Sequence, residues 1–250
     1  MRKTIKIHPW IVSFLMIAIS TSMVACGPNL SEEDVSDEPE IESLTNEYES
    51  SSPANSLNLK DIYLNATDIP SGYELDEMDL LDNHIIASDW PDPTAALERY
   101  ESWGRIEGYE VEFSKEVYSN TESVALFTDI TMACSVYGDD AGAIEDFMFQ
   151  QTDGEFAYKY EIDSLEGSNY FYESSTDVVV GDDSFSGQTT YTDKLDGKNL
   201  KISRIQVVFR KAYVVCAAAL TSFGGEAPKY ADLEFVAENQ DKLIISALGD

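Results

Sequence analysis

Between Tyr109 and Phe113, apolar and acidic residues alternate one by one: Tyr109, Val111 and Phe113 on one side, Glu110 and Glu112 on the other. A period of two marks a strand with one buried and one wet face. Val124, Leu126, Ile130, Met132, Cys134 and Val136 extend that rhythm over a longer strand. Further strands are expected near 185–192, 199–209 and 213–221, the last two joined as a tight hairpin through Arg210-Lys211-Ala212. Helical spacing interrupts the strands three times. Asp92 followed by Pro93 offers an N-cap and a proline for the first turn, Ala96, Leu97, Tyr100 and Trp103 make an apolar stripe, and Gly104 stops it. A second helix is predicted from about Asp140, with Ile144, Phe147, Met148 and Gln151 on one face. A third starts at Pro228 and carries Tyr230, Leu233, Val236, Ala237, Ile244 and Ala247. The stretch 152–180 is ambiguous, because Phe156, Tyr158, Tyr160 and Ile162 alternate like a strand among charges and turn residues. The pattern predicts one α+β domain over 58–250, an antiparallel sheet with helices packed on one face.

The first 57 residues follow a different logic. Arg2, Lys3 and Lys6 precede an apolar run from Trp10 to Ile19, which small residues follow up to Cys26. The run is short for a membrane span of about 20 residues and has the order of a signal peptide. Met23-Val24-Ala25-Cys26 resembles a bacterial lipobox, so residues 1–25 are expected to be a lipoprotein signal peptide. The resemblance implies that Cys26 becomes the mature N-terminus, carries a diacylglycerol thioether with an N-acyl fatty chain, and anchors the protein to a membrane of the cell envelope. Two or three chains hold a bilayer stably where one does not. An ordinary cleaved signal, or a single-pass anchor with an incidental cysteine, is the alternative. From 26 to 57 there is no Lys or Arg, nine acids and many serines, as in Ser31-Glu32-Glu33-Asp34. Such a segment cannot bury enough apolar surface to fold and is expected to be a disordered acidic tether, able to reach about 100 Å when fully extended.

Within the domain, four scattered segments carry a second resemblance. They are Ile69-Pro70-Ser71-Gly72-Tyr73, the Trp103-Gly104-Arg105 helix end, Gly181-Asp182-Asp183-Ser184, and the hairpin Val207-Val208-Phe209-Arg210-Lys211-Ala212-Tyr213-Val214-Val215. Together they resemble Mog1/PsbP-like domains and the related extracytoplasmic sensor-type domains of bacterial lipoproteins and kinases. Ala212 stands where such hairpins favour glycine. The resemblance implies an extracytoplasmic α/β scaffold and brings no catalytic residue with it.

Charge narrows the partners. Sixteen bases against 47 acids give a net charge of -31, which excludes nucleic acid as a partner. The tether does not account for the excess, since acids outnumber bases about three to one in the domain as well. A saline habitat or a cationic ligand would each suit such a surface.

Catalytic chemistry is thinly represented. Of two histidines, His8 lies in the signal and His84 is alone in the domain, without a Gly-x-Ser-x-Gly elbow. The lack of a His pair and of a CxxC pair speaks against zinc or iron, and no glycine-rich phosphate loop is present, so no cofactor or metal is expected. Cys134 and Cys216 fall on apolar strand faces, where they could pair in an oxidising compartment or stay as buried thiols. Asp182 and Asp183 could contact an ion such as calcium or simply form a polar turn. Trp90, in Asp89-Trp90-Pro91-Asp92, could stack on a sugar ring or cover the first helix. The expectation is a lipid-anchored, non-enzymatic extracytoplasmic domain that binds a small ligand or an envelope protein, or assists a membrane complex. Two alternatives stay open: a carboxylate-dependent hydrolase of envelope glycans, and a calcium-stabilised adhesion or structural module.

Overall fold

The computed structural model describes residues 57–249 except 89, 91, 118–125, 164–170, 176–177, 196–197 and 225–226. Cys26, the signal and nearly all of the tether therefore lie outside the described residues. Among the described residues, seven strands form one antiparallel sheet: β1 (Glu74–Leu81), β2 (Arg105–Val117), β3 (Leu126–Tyr137), β4 (Phe171–Ser175), β5 (Asp183–Leu195), β6 (Lys198–Lys211) and β7 (Val214–Phe223). Their order across the sheet is β1-β2-β3-β7-β6-β5-β4. The helices are α1 (Asn83–Ser88), α2 (Pro93–Ser102), α3 (Asp140–Asp163) and α4 (Tyr230–Leu248), with a 3-10 turn at Leu59–Ile62.

The period-two pattern builds the core on one face. In register, Phe113, Ile130, Leu220 and Ile205 form one row, Val111, Met132, Ala218 and Val207 the next, and Tyr109, Cys134, Cys216 and Phe209 a third. All twelve are at most 1% exposed except Leu220 at 3%. α4 and the 3-10 turn lie on this face, for Gln240 of α4 sits 2.8 Å from the Tyr109 hydroxyl and donates to the Ile62 carbonyl at 2.9 Å. Burying each such aliphatic or aromatic side chain contributes about 1.5–3 kcal/mol, and the paired polar atoms let Tyr109 and Gln240 join without a desolvation loss.

The opposite face, expected to be wet, is open at β1 but buried over the central strands. Val208, Ala217, Ala219, Thr221 and Thr131 alternate with the core residues and are 5% exposed or less. α3 packs there, Phe147 meeting Phe185 of β5 at 5.5 Å between ring centroids. The α+β class and the antiparallel sheet stand as read from the sequence, while the helices divide between the two faces, α4 on one and α3 on the other. A sheet whose central strands are apolar on one face and small or uncharged on much of the other gains by covering both.

α3 also departs in detail. Its buried side chains in the first turns are Ala143, Asp146, Phe147 and Gln150, whereas Ile144 and Met148 are 40% and 54% exposed. The helix is rotated because Gly142 lies against the Trp103 carbonyl and the Tyr137 ring, so close that a β-carbon would not fit. It then continues to Asp163 through the segment that alternated like a strand. Phe156 and Tyr160, and Tyr158 and Ile162, are each four apart, a spacing that serves a helix as well as a strand. α2 is as predicted: the Asp92 carboxylate accepts from the Ala95 amide at 3.1 Å, and Gly104 takes a positive φ of 67° just beyond the helix.

Candidate functional site

Cys134 and Cys216 stand opposite each other on β3 and β7, their Cα atoms 4.1 Å apart, and are joined by a disulfide buried within the core rows. The bond staples two central strands that are neighbours in space but 82 residues apart in the chain. Its place among fully buried side chains makes it scaffold and not a redox centre exposed to substrate.

Asp182 and Asp183 form a brace instead of an open ion site. Arg210 donates to the Asp183 carboxylate through Nη2 at 2.6 Å and Nε at 3.1 Å, and to the Ala212 carbonyl through Nη1 at 2.9 Å. Asp182 accepts from Lys211 Nζ at 2.9 Å and from the Ala212 amide at 2.8 Å. Partial burial pushes the Asp182 carboxyl up, but the Ala212 amide and the Lys211 and Arg210 cations outweigh it, so the group sits below the usual carboxylate range. These bonds hold the start of β5 to the β6–β7 turn, where Ala212 adopts a left-handed φ of 49°. The strand β6 runs through Lys211 and β7 starts at Val214, so the turn is Ala212-Tyr213, beginning two residues later than the Arg210-Lys211-Ala212 reading placed it.

Trp90 is 4% exposed and packs with Ala87, Ala96 and Tyr100. The Arg99 guanidinium lies 5.0 Å from its ring centroid and 4.4 Å from that of Phe149. Both the burial and the cation covering the ring leave no face for a sugar. His84 sits exposed on α1. Among the described residues no three His, Cys, Asp or Glu side chains gather closely enough to hold a metal.

The structure assembles two polar groups that no motif announced. Under α2 and α3, Arg105 donates to Ser135 Oγ at 3.0 Å, Asn83 Oδ1 at 2.8 Å and the Leu81 carbonyl at 3.0 Å, tying β1, α1, β2 and β3 together. Asp146 is buried beside it and accepts from Gln150 at 3.0 Å. Burial raises its carboxyl, and the Tyr137 and Gln150 side chains with the Arg105 and Arg99 charges only partly offset that.

The second group lies mid-sheet on the α3 face. Ser114, Asp129, Thr221, Arg204 and Thr189 form one row in register, and Glu112, Thr131, Ala219, Gln206 and Gly187 the next. Asp129 is 3% exposed and Thr131 1%, and among the described residues neither Asp129 Oδ1 nor Thr131 Oγ1 has a hydrogen-bond partner. Burial, with the Glu112 and Asp76 charges, pushes the Asp129 carboxyl up to about 8, and Glu112 is raised by burial and by Asp76 and Glu77. Asp129 is therefore protonated at neutral pH and can act as a hydrogen-bond donor or acid. The signal available in the sequence was an Asp and a Thr at the off-face positions of an otherwise apolar strand, which the alternation reading assigned to solvent.

A third feature is the sheet's outer edge. β1 is exposed at every residue from Glu74 to Leu80, and Leu75, Met78 and Leu80 are 58%, 42% and 58% exposed.

Comparison with known proteins adds little to this geometry. No protein-family model and no curated protein matches the chain. Among solved structures, the extracellular domain of PknH from Mycobacterium tuberculosis aligns at 12% identity over 77% of this chain and 95% of its own, with a TM-score of 0.42. LpqN of the same organism, whose structure is described as involved in cell envelope biogenesis, aligns at 12% identity over 70% of this chain and 78% of its own, with a TM-score of 0.29.

Proposed function

We propose that this protein is exported, lipidated at Cys26 and held in the cell envelope by its acidic tether, where its non-enzymatic α+β domain binds an envelope partner outside the cytoplasm. The observation that carries the reading is the buried Cys134–Cys216 disulfide. Such bonds persist in oxidising compartments and are rare in the reducing cytosol, so the folded part suits the destination that the export signal implies. Partner binding draws on the exposed apolar edge strand, whereas Asp182, Asp183 and Trp90 are committed to the scaffold. The Mog1/PsbP-like resemblance is compatible with the same role.

The test is expression of the full chain in a bacterial host with an alkyne fatty acid, followed by fractionation and external protease treatment of spheroplasts. Wild type is expected to carry the label, partition into the detergent phase and be digested from outside. Cys26→Ala should lose label and membrane retention together. Unchanged labelling of Cys26→Ala refutes the lipid anchor, and a protease-protected domain refutes the location.

A second reading, hydrolysis of envelope glycans, is favoured by Glu112 and Asp129, two carboxyls on the paired strands β2 and β3, the Glu112 charge helping to raise the Asp129 carboxyl. It predicts release of reducing ends from cell-wall glycan that both Asp129→Asn and Glu112→Gln abolish. No release by the wild-type chain ends this reading.

A further inference from the structure

β1 is the last strand of the sheet, and no described residue pairs with its outer edge. Its register with β2 sets Leu75 opposite Phe113, Met78 opposite Val111 and Leu80 opposite Tyr109. The three apolar side chains thus stand on the core face, one strand spacing of about 4.8 Å from neighbours that are at most 1% exposed. They continue the core's row outward with nothing described over them.

The other face of the same strand is acidic. Glu77 pairs with Glu112 and Asp79 with Glu110, and Glu74 and Asp76 add two more carboxylates along the strand, which holds no base. The two cations of β2 are already committed. Lys115 lies 3.3 Å from the Ser71 carbonyl and over the Tyr73 ring at 5.4 Å, and Arg105 is buried in its three hydrogen bonds.

We propose that the outer edge of β1 is a docking strand for an extended segment of a partner protein that alternates basic with aliphatic side chains. The segment would pair its backbone with the free N–H and C=O groups of β1, lay its aliphatic residues beside Leu75, Met78 and Leu80, and direct its Lys or Arg residues to Glu77, Asp79 and Glu112. Edge strands protected from pairing carry charge on their exposed faces. Here charge occupies one face only, and three large apolar residues occupy the other. A second copy of this chain does not fit the edge, because two β1 strands side by side would bring four carboxylates from each into register, and like charges opposed across strands repel. A basic partner strand turns the same charges into attraction and speeds encounter.

This inference rests on the partner-binding reading, and the experiment separates the two. The probe is a fluorescein-labelled decapeptide alternating Lys with Val or Ile, titrated by anisotropy into the full chain in mild detergent. Saturable binding is expected, weakened about tenfold or more by N-methylation of alternate backbone amides on the pairing side of the peptide and by Glu77→Lys with Asp79→Lys in the protein. Binding should also weaken from low to physiological salt and vanish when Glu replaces Lys in the peptide. Absence of binding, or binding indifferent to N-methylation or to the charge reversals, overturns the proposal. Indifference to N-methylation alone would indicate a helix or a diffuse electrostatic contact. A concentration-dependent dimer lost in Glu77→Lys with Asp79→Lys would make the occupant a second copy, and also overturns it. In cells, a photo-crosslinking residue at position 80 on β1 is compared with one at position 235, where Phe235 of α4 is 44% exposed. Capture of the same partner from 80 and not 235, together with peptide binding, supports the proposal. Capture from 235 alone overturns the edge but keeps partner binding, and capture from neither overturns both.

Discussion

Replacing Asp129 by Asn should stabilise the protein, and more so as the pH rises. An ordinary Asp ionises near 3.8, whereas the folded chain holds this one up to about 8 through burial and the Glu112 and Asp76 charges. Between those two values the native state keeps a proton that the unfolded chain releases, so native stability falls as pH climbs from about 4 to about 8 and stays low above it. One pKa unit corresponds to about 1.36 kcal/mol, so the full displacement sets a ceiling of about 6 kcal/mol on the cost of the buried carboxylate. Relaxation and water entry bring the expected difference down to about 2–4 kcal/mol. Asn has the same shape, stays neutral and can donate a hydrogen bond as the protonated acid does. Urea unfolding followed by the fluorescence of Trp90 and Trp103, with the disulfide intact, measures the effect. Asp129→Asn and wild type should agree at about pH 3, below the ordinary Asp value, and diverge by about 2–4 kcal/mol at about pH 8.5 in favour of Asn. The general repulsion of so acidic a chain affects both proteins and drops out of the difference. Equal separation of the two curves at both pH values, or a less stable Asn variant at the higher one, refutes the reasoning.

Three further outcomes are expected. Converting both Cys134 and Cys216 to Ala removes the closure of an 82-residue separation and should cost up to about 4–5 kcal/mol, read as a lower urea midpoint; unfolded, unreduced wild-type domain should show no thiol from either residue. Gly142→Ala drives a β-carbon into the Trp103 carbonyl and the Tyr137 ring and should destabilise by about 1–3 kcal/mol, seen as a fall in melting temperature. At Ala212, whose φ is 49°, substitution by Val should cost about 1 kcal/mol or more while Gly is tolerated or slightly stabilising; equal melting temperatures for the two variants would show that the turn carries no strain.

Legibility in the sequence followed the range of the interactions. α2 was readable from Asp92, Pro93 and Gly104 because a cap, a first-turn proline and a C-terminal glycine act within a few residues of the backbone they satisfy. The cores of β2, β3, β6 and β7 were readable because one of their faces is almost wholly apolar, and a period of two survives any choice of neighbour. β1 left no such trace. Its residues are exposed on both faces, and it is a strand only because its backbone hydrogen-bonds to β2. β4, only five residues long, fell in the ambiguous stretch 152–180, whose residues of double period, Phe156 to Ile162, went to α3.

The candidate sites show the same division more sharply. Composition alone settled the scarcity of His, the excess of acids and the distinct character of the first 57 residues, since those are sums over the chain that no fold alters. What Asp182, Asp183 and Trp90 do was decided by partners brought from afar: Arg210 and Lys211 for the two acids, Phe149 and Tyr100 for the ring. The Cys134–Cys216 bond required β3 and β7 to be neighbours, an adjacency that places strands 82 residues apart side by side and leaves no local mark on either. Asp129 depended on it too. Whether an off-face polar residue meets water is a property of its tertiary surroundings and not of its strand, and at 3% exposure Asp129 is a buried acid that the alternation alone would leave at the surface.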